Sequence, residues 1–173
     1  MYQDGMPKKQ GLYDPSFERD SCGVGFVVNV DGTRSHLIIR QGLEVLCNLA
    51  HRGACGCDPE TGDGAGALIQ IPHELLSRDC RALGLQLPPV GDYGVGMVFL
   101  PREVEARVRL ERVLEEVIAA EGQNFLGWRD VPVDSQAIGN LARESEPVIR
   151  QIFIEKNSDL KRMPDFERKL YVV

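Results

Sequence analysis

The chain has 173 residues, 43% of them hydrophobic and 27% charged, with a formal net charge of −6. That balance belongs to a folded globular protein and excludes a disordered or fibrous chain. Negative charge without a Lys/Arg stripe argues against a nucleic-acid partner, and no apolar run approaches the ~18 residues of a membrane span.

The length fits one domain with a real core. Residues 1–21 hold three aromatics, two prolines and mixed charge, with neither a helical nor a strand period, and read as a leader. Its lysines are followed by no apolar stretch, so it is not a secretory signal and the expected address is the cytoplasm. "GVGFVVNV" (23–30) alternates like a strand, and Asp31-Gly32 behind it is a hairpin-type turn. From His36 to Ala50 the apolar residues fall near helical spacing. "GACGCDPETGDGAG" (53–66) is a loop dense in glycine and acid, "GALIQIP" (66–72) a second strand, and 73–84 a short helix closed by Gly84.

"YGVGMVFLP" (93–101) is a third strand. Pro101 is placed as the first residue of a long helix whose buried stripe is Val104, Val108, Leu110, Val113, Leu114, Val117 and Ile118. "NFLGWRDVPV" predicts a strand ending at Pro132, "DSQAIGNLARESEP" a helical piece stopped by Pro147, and 148–156 another strand. "DFERKLYVV" predicts a turn of helix feeding a strand. Because the chain stops at Tyr171-Val172-Val173 inside that apolar pattern, a partial chain is expected.

The five cysteines are Cys22, Cys47, Cys55, Cys57 and Cys80. An odd number without a signal sequence points to free thiols. Cys22 is followed by the small residues Gly23, Val24 and Gly25, which leave backbone that a substrate could approach. If the Ser21–Cys22 bond were cut, its thiol would lie beside its own α-amine. That amine titrates near ~7.7–8.0 and could take the thiol proton. Read from residues alone, a cysteine opening a strand is more often a small buried hydrophobe, and both readings stay open.

"LAHRGACGCDPETGDGAG" (49–66) suggests a phosphate cradle, but no Gly-Lys-Ser/Thr follows, and Asp58 and Asp63 would repel phosphate. Cys47, His51, Cys55 and Cys57 form C-x3-H-x3-C-x-C, candidate ligands of a metal or redox module. Such sites more often use paired C-x2-C knuckles, and the alternative is a Cys47 facing the helix core with Cys55 and Cys57 as loop residues. Arg52 either pairs with the carboxylates of the loop or walls a pocket for an anionic group.

Taken in order, "DSCGVGF", "LAHRGACGCDPETGDGAG", "YGVGMVFLP" and "FLGWRDVPVD" resemble the start of the large subunit of the glutamate synthase family. They are similar to its class II, N-terminal-nucleophile glutamine amidotransferase domain and the short propeptide before it. "ARESEPVIRQIFIEK" and "FERKLYVV" resemble later segments. The resemblance implies a propeptide at 1–21, a partial amidotransferase domain at 22–173, and an α+β fold: the four-layer αββα sandwich of the Ntn hydrolases, incomplete in this chain.

The resemblance further implies that Cys22 is the nucleophile, with its freed α-amine as base, and that Arg52, in the "HRG" segment, supports the pocket. The activity implied is glutaminase: L-glutamine gives up ammonia through a cysteine thioester, for transfer to 2-oxoglutarate in glutamate biosynthesis and ammonia assimilation. The partners implied are the synthase domain of the same polypeptide and a small reductase subunit or ferredoxin. FMN and an iron–sulfur cluster are expected only in domains further along such an oxidoreductase, none in this chain. The family's oxyanion-hole pair and its groups for the substrate carboxylate and amine are expected beyond residue 173, so the isolated chain is expected to be inactive. Two alternatives stand beside this: the Cys/His metal or redox module, and a non-catalytic amidotransferase-like module serving assembly. Cys55 and Cys57 receive no role.

Overall fold

The computed structural model describes residues 2–3, 6–7, 9, 11, 14, 23–49, 60–62, 64–160 and 162–173. The chain divides into two compact units, Met1–Leu68 with Gly139–Leu141, and Ile69–Ile138 with Ala142–Val173. No helix of the described residues is long and apolar enough to cross a membrane.

In the first unit, β1 (Tyr2–Gln3) pairs antiparallel with β2 (Met6–Pro7). The leader was read without strand character; a two-residue ladder is too short to impose a period on the sequence. Helix α1 spans His36–Asn48. It begins at Ser35, whose hydroxyl accepts from the Leu37 amide at 3.2 Å and satisfies one orphan donor of the first turn.

Residues 23–30 do not form the expected strand. Their alternation is real: a Cβ at Gly23 would come within 2.9 Å of Leu49, and one at Gly25 within 2.5 Å of Val45, so these glycines lie close against the end of α1. Val24, Phe26, Val28 and Val30, the intervening positions, are exposed. A strand exists only where another backbone pairs with it, and among the described residues none runs alongside. The Asp31-Gly32 turn is present, with the Gly32 amide bonded to Asn29 O at 3.0 Å, but it joins no hairpin. The expected strand at 66–72 fails for the same reason, and Leu68, Ile69 and Ile71 are exposed.

The second unit is built on a sheet of β3 (Tyr93–Leu100), β4 (Asn124–Asp130) and β5 (Val148–Glu155), all antiparallel in the order β3-β5-β4. Alternation sends Phe153 to one face of β5 and Ile152 and Ile154 to the other. On the first face, Leu76 and Cys80 of α2 (His73–Ala82) join Tyr93 and Phe153 in a buried cluster. On the second, Ile118 of α3 (Val104–Ala120) and Phe166 of α5 (Met163–Val172) close over Ile152 and Ile154. A short helix, α4 (Asn140–Glu144), precedes β5.

Helices α2 and α3 stop by the same device. The Gly84 amide bonds to Arg81 O and the Leu85 amide to Cys80 O, while Gly122 and Gln123 bond to Ala119 O and Ile118 O. These are paired Schellman bonds around glycines at φ +78 and +71, a region glycine enters without a Cβ penalty. In β4, the register slips between Phe125 and Gly127, and a Cβ at Gly127 would sit 2.7 Å from the Leu85 side chain.

Three further expectations are corrected. Pro101 is not the first residue of α3: the helix starts after Glu103, whose carboxylate accepts from the Glu105 and Ala106 amides at 2.7 and 2.5 Å. Those bonds, Ala106 first, hold the Glu103 carboxyl below its usual range. Of the seven residues assigned to the buried stripe of α3, only Ile118 is buried; Val104, Val108, Leu110 and Val113 are exposed. Finally, the chain closes in helix and not in a strand, because Phe166, Leu170 and Val173 recur at helical spacing and pack on the sheet's Ile152/Ile154 side.

Candidate functional site

Of the residues singled out in the sequence, Ser21, Cys22, His51, Arg52, Cys55, Cys57, Asp58 and Asp63 lie outside the described residues. Gly23, next to Cys22 in the chain, packs on Leu49, three residues before Arg52. The small residue after the cysteine thus serves close approach: a larger side chain at 23 would meet the last turn of α1.

The two other cysteines are far apart in character. Cys47 is exposed on α1, so it does not face a helix core as one reading of the sequence had it. Cys80 is fully buried beside Tyr93 and Phe153, and burial pushes its thiol above the ordinary range. A thiol held protonated is a poor nucleophile and a poor ligand, and Cys80 is a core residue. Among the described residues no group of His, Cys, Asp and Glu is placed to hold a metal ion.

Polar chemistry in the second unit gathers around α2. Its His73 Nδ1 lies 2.9 Å from the Tyr93 hydroxyl, and its Nε2 3.3 Å from Ser77 Oγ. One residue beyond Arg78, Asp79 accepts from Arg129 Nη2 at 2.6 Å and from Arg78 Nε and Nη2 at 3.2 and 3.1 Å. Arg129 also donates to Gln151 Oε1 at 2.9 Å, so Asp79 ties α2 to the sheet. The bond from Arg129, and then that from Arg78, hold the Asp79 carboxyl below the usual carboxylate range.

A carboxyl lowered in the folded state contributes stability that is present above its unfolded value, near ~3.9, and lost as pH falls through the folded value. Asp79→Asn is therefore expected to lower stability at neutral pH and to flatten the acid limb below about pH 4. Urea midpoints of both forms across that range test it; parallel curves would show that the pair contributes nothing.

On the opposite face, Arg150 donates from Nε to Asp130 and from Nη1 to Glu111, both at 2.7 Å, and lies 5.4 Å over the Trp128 ring. Trp128 Nε1 donates to Glu115 at 2.8 Å. Two carboxylates of α3 thus grip β4 and β5 through one arginine and one indole, a structural network. None of the His73, Ser77 and Tyr93 contacts was anticipated. The His-x3-Ser spacing on a helix was the one local signal, and the tyrosine sits 20 residues further on.

A family model of the glutamine amidotransferases class-II matches residues 22–173. The chain is 48% identical over 173 residues to the glutamate synthase [NADPH] large chain of Bacillus subtilis, covering all of this chain and 11% of that protein. It is 41% identical over 166 residues to the glutamate synthase [NADH] of Saccharomyces cerevisiae, covering 93% of this chain and 8% of that protein. It is also 41% identical over 155 residues to ferredoxin-dependent glutamate synthase 2 of Synechocystis, covering 90% and 10%. The chain spans about a tenth of the length of these relatives.

Proposed function

The chain belongs to the class-II glutamine amidotransferases, and from that premise we propose that it is the glutaminase portion of a glutamate synthase, with Cys22 as its nucleophile. The observation that carries the proposal is where the family match begins: at residue 22, the cysteine itself; the reading takes 1–21 as a removable propeptide. Similarity to glutamate synthases with different electron donors supports the same portion in each.

Once the Ser21–Cys22 peptide is cut, the free amine of Cys22 takes the thiol proton. The thiolate then attacks the γ-carbonyl carbon of L-glutamine. The C–N bond breaks, the protonated amine supplies its proton to the leaving nitrogen, and ammonia departs. Water next attacks the γ-glutamyl thioester, the C–S bond breaks, and glutamate and the thiol are restored. In this reading Arg52 walls the pocket. The packing of Gly23 on Leu49 supports it, because it holds together the segments that lead into both residues.

In the longer protein, ammonia passes to a synthase domain and adds to 2-oxoglutarate. FMN, an iron–sulfur cluster and a reductase subunit or ferredoxin belong to that half, and no step above runs through them. The reading extends to an αββα sandwich for the amidotransferase domain and to a cytoplasmic address.

Intact mass and amino-terminal sequencing of the protein in its full-length native context test the proposal. A chain beginning at Cys22 and labelled there by an electrophilic glutamine analogue is expected. An uncut Ser21–Cys22 bond with an unlabelled thiol would sink it, and stoichiometric zinc or iron retained through dialysis by the 173-residue chain alone would point to the Cys/His module instead.

A further inference from the structure

Beside α2 opens a cleft of about 730 Å³, lined by His73, Glu74, Ser77, Arg78 and Arg81 and by the loop 84–87. All of it lies within the second unit. Nothing in the glutaminase reading uses it.

Proton counting sets its polarity. Tyr93 is buried, and its hydroxyl lies 2.9 Å from His73 Nδ1. A buried hydroxyl spends its one proton on an available acceptor, so Tyr93 donates and Nδ1 accepts. The ring proton then sits on Nε2 and is donated to Ser77 Oγ at 3.3 Å. Ser77 has accepted, and its hydroxyl makes no other hydrogen bond among the described residues, so its proton is free to serve the cleft. The buried tyrosine thereby fixes a half-buried serine as a donor.

Two guanidinium groups share the lining. Arg78 is held by Asp79, whereas Arg81, three residues on, has no carboxylate partner among the described residues. Glu74 is the single carboxylate of the lining. A hydroxyl donor and two arginines against one acid make a concave surface richer in donors than in acceptors.

We propose that this cleft binds a small anion, a carboxylate or a phosphate, with Arg81 and Ser77 as its principal donors and the Tyr93–His73 pair as the positioning element behind Ser77. Arg78 contributes charge from the side. The proposal uses no residue of the glutaminase reading, so its failure would leave that reading intact.

The test is titration of the full chain with inorganic phosphate and, separately, with succinate, followed by backbone amide shifts. Saturable shifts at residues 77–87 with half-saturation at or below about 1 mM are expected. Either anion alone supports the site and identifies its chemistry: phosphate a tetrahedral group, succinate a carboxylate. Arg81→Gln, at an exposed position that leaves the core alone, should weaken binding about tenfold. Glu74→Gln should tighten it about two- to threefold by removing a like charge. Tyr93→Phe frees Nδ1, lets the ring and Ser77 turn, and should weaken binding about threefold with both arginines in place. Shifts no larger than those from sodium chloride at matched ionic strength overturn the proposal, as does equal binding by wild type and Arg81→Gln.

Discussion

Replacing Cys22 with alanine in the full-length native protein is expected to lower glutamine-dependent ammonia release by on the order of 10⁴-fold or more, the scale of losing a covalent nucleophile. Three companion results separate this from damage to the fold. The melting temperature should hold, because the substitution removes one sulfur. Glutamate formation should persist when ammonium salts are supplied directly, since the lesion lies upstream of ammonia. Cys22→Ser should keep the small polar side chain yet still lose most of the rate, because a hydroxyl is a far weaker acid than a thiol for an amine base of pKa ~7.7–8.0. A Cys22→Ala protein that still releases ammonia from glutamine at the wild-type rate would remove the cysteine from the mechanism. Blocking the cut before Cys22 should mimic the alanine variant, because an amide nitrogen in the peptide bond cannot accept the thiol's proton.

The largest expected loss of stability falls on Phe153. It is fully buried in the middle strand, between Leu76 and Cys80 of α2 and Tyr93 of β3. Phe153→Ala should cost about 3–5 kcal/mol, the transfer of a phenyl ring plus the cavity left behind. Phe99, on the same sheet, is 64% exposed; Phe99→Ala should change stability by no more than about 0.5 kcal/mol. Urea unfolding of the two variants gives the comparison, and similar losses at both positions would contradict the packing described here.

The sequence could not tell these two phenylalanines apart, for a physical reason. Both sit in apolar strand segments, and burial depends on whether a helix lies over that part of the sheet. Helix α2 covers Tyr93 and Phe153 but leaves Met97 and Phe99 open. The same limit governs α3. At roughly 100° per residue its apolar positions run round more than half the circumference, while a sheet covers one side. Capping chemistry was more legible: Gly84 closes α2 as its position predicted, because a Schellman turn needs a residue without a Cβ. The alternation at 23–30 was legible too, but whether a strand results depends on a neighbouring backbone that the segment does not encode.

For the site, residue types and spacing left Cys22 between core residue and nucleophile. Four ordered motifs tipped that balance, and the family match starts at the same residue. The Tyr93–His73–Ser77 line was out of reach altogether. Its members come from a helix and a strand separated by the loop at 84–92, and no periodicity reports which hydroxyl a histidine will meet.

The sheet order has a consequence for how the protein is made. Among the described residues, strands β3 and β4 pair only with β5, and β5 is the last of the three to leave the ribosome. While residues 93–130 emerge, helices α2 and α3 can begin to form from local contacts, but neither strand has a partner. Both ladders close together once Val148–Glu155 threads between them, joining positions as distant as Tyr93 and Glu155. Non-local pairing of this kind is slow and leaves strands unpaired meanwhile. A nascent chain stalled before residue 148 therefore offers two bare strands to any neighbouring copy, and that interval is when the protein most needs a chaperone.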